Sequence, residues 1–213
     1  MPLFLLRTIV QFCSMRNSII WVLCFTLLSG IFISCKKGEN DPGLSLRPRR
    51  ERVIGKWKLF SGKVVYTPPK DPQEVSTYTD SQRAFEKAGV RIVSAYDWTV
   101  SFDRAGTYNQ ILKETAPGSI SSTLTLKGNW AFMLKSTNQE FKNKEALYLT
   151  ETFIGNSQGG ALTTEEFKNP VTGSIWPIDQ LKNKEMIIKY VTEEEKLDGF
   201  HVTDVYLVFK TIK

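Results

Sequence analysis

The chain reads as an all-β protein: an antiparallel, barrel-closed sheet of about eight strands with one or two short helices, behind an N-terminal signal segment. Three observations lead there. The first is alternation: in "SAYDWTVSFD", Tyr96, Trp98, Val100 and Phe102 share one parity, and Asp97, Thr99, Ser101 and Asp103 share the other. Period two is the mark of a strand with one face buried. The second is punctuation, since short turn signals such as "DRAG" and "LDG" separate the alternating runs. The third is the scarcity of helical periodicity. Some eight antiparallel strands, each apolar on one face, are most simply closed on themselves, which also removes exposed edges.

The elements follow in order. From Ile19 to Cys35 no residue is charged, and Arg16 stands just upstream, the layout of an export signal. "MRNSII" from Met15 makes a more ordinary start than the first 14 residues do. "KKGENDPGLSLRPRRER" is charged, rich in Gly and Pro and without hydrophobic period, and reads as a flexible tether. Segments are therefore expected at 1–34 (signal peptide), 35–52 (tether) and 53–213 (barrel). "IGKWKLFSGKVVY" opens the barrel. "TDSQRAFEKAG" offers a helix, with Thr79 and Gln82 at capping-box spacing and Gly89 as a stop. After "TYNQILKE", Ile120, Leu124, Leu126, Trp130, Phe132 and Leu134 keep one parity, and Gly128 among them fits either a hairpin or a single bulged strand. "ALYLTETFI", "EMIIKYVTEE" and "FHVTDVYLVFKTI" add strands, and "IWPIDQLKN" a second short helical turn.

Charge and cysteines narrow the function classes. The net charge is +6, but residues 36–63 carry nine basic and three acidic side chains, while residues 64–213 carry 17 and 19. The basicity belongs to the tether and first strand, so no nucleic-acid partner is expected. A basic tether suits an anionic membrane surface. Cys13, Cys24 and Cys35 all lie in the first 35 residues, which leaves no disulfide or thiolate metal site downstream.

"GIFISC" resembles the lipobox of bacterial lipoprotein precursors, with Ser34 at the small position. The resemblance implies lipidation of Cys35, cleavage before it, and an envelope protein held in the outer membrane by its acyl chains. A single spanning helix is the alternative, because 17 uncharged residues reach the short end of the length required and Lys36-Lys37 could stop transfer.

Gly55-Lys56-Trp57 on the first strand resembles the Gly-x-Trp opening of lipocalins. With "FDRAGTY", Gly128-Asn129-Trp130, and Ile178 and Leu181 before "EMIIKY", the whole of 53–213 is similar to the lipocalin-like domains found in lipoproteins of the Bacteroidetes. The resemblance implies a non-catalytic barrel that binds a small apolar or amphipathic ligand. Trp98, Val100, Phe102, Tyr108, Trp130 and Phe132 are the candidate interior residues, either as plain core or as the lining of a cavity. Gly55, Trp57 and Gly128 are assigned to structure. The helix around Phe85 is expected to cover the cavity mouth. A ligandless interaction module of the envelope is the second function class, and its protein partners are not legible.

"GNSQG" at 155–159 matches the Gly-x-Ser-x-Gly elbow of serine hydrolases, with Ser157 as nucleophile, His201 as base and Asp179 or Asp198 as its orienting carboxylate. No helix is expected after it, so a flexible loop is the preferred reading. His201 is the only histidine and is placed on a strand near a turn. Glu193-Glu194-Glu195 reads as a solvated hairpin tip. No cofactor, metal or enzymatic activity is expected.

Overall fold

Where the sequence alternates, the backbone is extended. The computed structural model describes residues 47–133 and 145–213, and these form ten antiparallel strands closed into a barrel. They are β1 (Gly55–Thr67), β2 (Glu74–Tyr78), β3 (Gln82–Lys87), β4 (Val90–Phe102), β5 (Thr107–Thr115), β6 (Ser122–Met133), β7 (Glu145–Gln158), β8 (Ala161–Leu181), β9 (Glu185–Lys196) and β10 (Gly199–Ile212). Each strand pairs with its sequence neighbour, and β1 closes the sheet against β10. Among the described residues one helix, α1 (Arg49–Val53), precedes them. The leader, Cys35, the tether up to residue 46, and Leu134 lie outside the described residues.

Ten strands replace the expected eight or so because the region assigned to a helix is a hairpin. Thr79 Oγ1 accepts from the Gln82 N–H at 3.1 Å, so the capping-box spacing closes the β2–β3 turn instead of starting a helix. Arg83, Phe85 and Lys87 then alternate along β3, paired on both sides with β2 and β4. A helix here would leave two strand edges open. Tertiary pairing overrides the local helix preference. At one end of the barrel Gly55–Lys58 pair directly with Thr99–Phe102, so β1 meets β4. At the other end the β2–β3 hairpin is wedged between them, and the barrel is wider there.

The second expected helical turn is also strand. "IWPIDQL" ends β8, with Trp176, Ile178, Asp179, Gln180 and Leu181 all buried. Ile120 departs from its expected parity, lying exposed in the β5–β6 connection. Gly128 does lie in one continuous strand: the register shifts opposite it, where Thr152 of β7 bulges out between Glu151 and Phe153.

The last residues of the expected tether are folded. Arg52 and Val53 are buried, and α1 straps the narrow end of the barrel shut. Five residues cannot hold a helix alone. Trp57 Nε1 donates to the Val53 carbonyl at 2.7 Å, Arg52 donates to the Leu181 carbonyl, and Arg49 pairs with Glu145. Arg50 lies over the Trp130 ring at 5.6 Å, and Glu51 pairs with Arg104 at 3.0 Å. Part of the positive charge assigned to a tether therefore belongs to the folded domain.

The β3–β4 turn carries a strained residue. Ala88 and Gly89 have φ of +51° and +78°, the pattern of a two-residue hairpin turn that favours Asn-Gly. Ala88→Asn should stabilise the protein by about 0.5 kcal/mol, read as a higher denaturant midpoint with unchanged slope.

Candidate ligand site in the open half of the barrel

The inward face is graded along the barrel. At the α1 end it is tightly filled: Trp57, Leu59, Leu147, Leu149, Ile178, Leu181, Met186 and Phe209 are at most 1% exposed. Aromatic rings lock there edge to face, with Phe102 at 5.5 Å from Trp130 and 6.2 Å from Trp176. Four of the six candidate interior residues, Val100, Phe102, Tyr108 and Trp130, belong to this packed core. Phe102 and Tyr108 nevertheless border one solvent-open depression at this end, and Trp130 borders another. Gly55, Trp57 and Gly128 sit in the same half.

Trp98 and Phe132 are only half-buried. Trp98 packs against the core: its ring stands edge-on to Trp176 at 5.9 Å and to Phe209 at 5.3 Å. Beyond it the pairings keep Leu112, Glu114, Leu124, Leu126, Tyr190, Thr192, Thr203, Val64 and Tyr66 on the inward parity. All of these are half-buried, whereas Ser76, Ser94, Tyr96, Val205 and His201 on the same inward face are buried. The mixture means that the interior is less tightly filled toward that end. Phe85, expected on a covering helix, stands on β3 at this wide rim under the Arg83 guanidinium, 5.5 Å from its ring.

The side wall is open as well. Among the described residues β8 meets β9 only through Ile178, Gln180 and Leu181, paired with Ile188, Ile187 and Met186. Beyond these pairs β8 keeps β7 and β9 keeps β10, so the two hairpins part and leave unpaired strand edges. Two depressions, of about 450 Å3 (lined in part by Phe102 and Tyr108) and 550 Å3 (by Trp130 and Phe132), lie at the packed end around Asn129, open to solvent.

Polar groups ring the open half. Arg83 reaches Glu114 at 3.1 Å and Ser76 at 3.1 Å, and Lys87 reaches Glu74 at 2.7 Å. Burial pushes the Tyr96 hydroxyl well above its ordinary range, with Tyr78 adding to it, and raises Tyr190 also. His201 is buried on β10, where Tyr66 Oη meets Nδ1 at 2.5 Å and Asp198 Oδ1 meets Nε2 at 2.7 Å. The hydrogen bond from His201 lowers the Asp198 carboxyl.

"GNSQG" is neither a flexible loop nor an elbow. Ser157 is on β7, which turns through Gly159-Gly160 straight back into β8. The strand-to-helix turn that exposes such a nucleophile is not formed. Both ring nitrogens of His201 are engaged by Tyr66 and Asp198, and Asp179 is buried on β8. Glu193-Glu194-Glu195 end β9, exposed as expected.

Comparison with protein-family models finds no match to this chain. No curated protein matches it, and no solved structure does.

Gln110 is the interior residue that sequence reasoning missed. It is 6% exposed and shares the inward parity of Tyr108 and Leu112. A polar residue on an otherwise apolar parity was the available signal.

Glu151 is another inward polar residue, opposite Gly128 on the pairing of β6 with β7. Burial raises its carboxyl above the ordinary value of 4.5. A raised acid favours the protonated folded state, so its contribution weakens as pH rises from that value through the raised one. Glu151→Gln should therefore raise Tm at pH 7 and leave it unchanged well below pH 4.5, as thermal melts at the two pH values would show.

Proposed function

We propose that this protein is a cell-envelope lipoprotein, anchored through acyl chains on Cys35, whose lipocalin-like barrel holds a small apolar or amphipathic molecule without catalysis. The observation that carries the binding half is the graded interior. One end is closed by α1 and packed rings, while toward the other end inward Leu112, Leu124, Tyr190 and Tyr66 are half-buried beside buried Tyr96, Val205 and His201, up to a rim with exposed Val90 and Ile92. Apolar area covered there would drive binding at about 25 cal/mol per Å2. The anchor rests on the "GIFISC" stretch, which lies outside the described residues.

Native mass spectrometry of the protein purified from its own host tests the binding half. The expected result is an added mass that is lost on denaturation. A bare chain that also takes up no apolar dye would sink it. Labelled palmitate tests the anchor: incorporation should vanish in Cys35→Ala, and equal labelling of both forms would remove lipidation. A ligandless interaction module is the second reading. It is favoured by the tight filling of the α1 half, where four candidate lining residues are already core.

A further inference from the structure

Two polar atoms at the floor of the open half have no partner. Trp98 Nε1 and Gln110 Oε1 are buried and make no hydrogen bond among the described residues. Their strands place them together: Trp98 pairs with Leu112 and Val100 with Gln110, so the two side chains are diagonal neighbours on one inward face. Diagonal neighbours stand roughly 7–8 Å apart at the backbone, close enough for one small group to touch both side chains. Buried polar atoms in folded proteins are almost always satisfied, and an orphan pair in a dry interior calls for a guest.

The surroundings restrict that guest. Trp98, Leu112 and Leu126 around the pair are half-buried, so packing at this depth is looser than in the core beside it. The inward-facing cations of β3 are already neutralised, Arg83 by Glu114 and Lys87 by Glu74. No free positive charge on that strand waits for an anion, and burying an unpaired carboxylate is costly. An indole N–H can only donate, whereas the amide can present its carbonyl.

Resting on the binding function proposed above, we propose that the bound molecule is uncharged at its buried end. That end is a hydroxyl or an amide, which accepts from Trp98 Nε1–H and donates to Gln110 Oε1. The apolar remainder of the ligand lies against Leu112, Leu126 and Tyr190 and leaves through the wide rim or between β8 and β9.

The test is a set of calorimetric titrations of the full chain with four probes of equal chain length: 1-octanol, octanamide, octanoate and 1-bromooctane. The alcohol and amide should bind about tenfold more tightly than octanoate. Gln110→Met should weaken 1-octanol by about fivefold or more while leaving 1-bromooctane unchanged. Trp98→Phe, which keeps an aromatic ring, should repeat that pattern. Binding of all four probes with no discrimination, or indifference of the alcohol to both substitutions, would show that the polar end of the ligand does not serve the two atoms. That outcome overturns the proposal while leaving the pocket intact. Binding of none of the four removes the pocket itself.

Discussion

Trp57→Ala should cost about 3–5 kcal/mol, the largest loss expected from any single truncation in this protein. The indole is 0% exposed at the packed end of the barrel, and its Nε1–H satisfies the Val53 carbonyl at 2.7 Å. Truncation would leave a cavity under α1 and an orphaned carbonyl in the helix that seals the barrel. Against the 5–15 kcal/mol typical of a domain, that is a large share. Trp57→Phe separates the two causes. It keeps most of the ring volume and loses the hydrogen bond, so it should fall between wild type and Ala. Urea unfolding followed by circular dichroism measures both. A loss below about 1 kcal/mol for the Ala variant would mean that α1 does not depend on this ring.

Gly128→Ala should be nearly as damaging, at about 3 kcal/mol, although it adds a single carbon. A Cβ at this position would stand 1.8 Å from the Thr150 carbonyl oxygen and 3.0 Å from the Glu151 Cα. Both obstacles are backbone, so no side-chain rotation relieves the contact. The strand must move, and it is pinned on one side by Tyr108 and on the other by the β7 bulge at Thr152. A melting temperature lowered by roughly 6–12 °C is expected. Gly118→Ala provides a contrast in mechanism. Its φ of +68° strains a side chain, yet no atom lies within 4 Å, so only the smaller conformational cost of about 1–2 kcal/mol applies. Equal losses at the two glycines would contradict the close approach at Gly128.

The site was harder to read than the fold, for a reason that particular residues show. Tyr96, Val100 and Phe102 were placed inward by parity, and they are buried. Parity could not say that Val100, Phe102, Tyr108 and Trp130 are buried in the core, while Trp98, one step along, stays half-buried. Whether an inward residue is core or lining depends on what arrives from strands far away in sequence, such as Trp176 and Phe209. Arg49 and Arg52 were hidden in the same way. In a run of charges they resemble solvated tether, and only Glu145 and the Leu181 carbonyl make them part of the fold.

Alternation and turn residues were enough to establish an antiparallel all-β barrel, because strand periodicity is a local consequence of having one buried face. Strand number was not local. "TDSQRAFEKAG" carries helix signals within itself, and it became a hairpin because β1 and β4 part beyond Gly55–Lys58 and leave edges to be filled. The sealed end, the open half and the unpartnered Trp98 and Gln110 atoms arise from the same long-range geometry. Each depends on which side chains converge across the barrel, and convergence is settled by packing between distant strands.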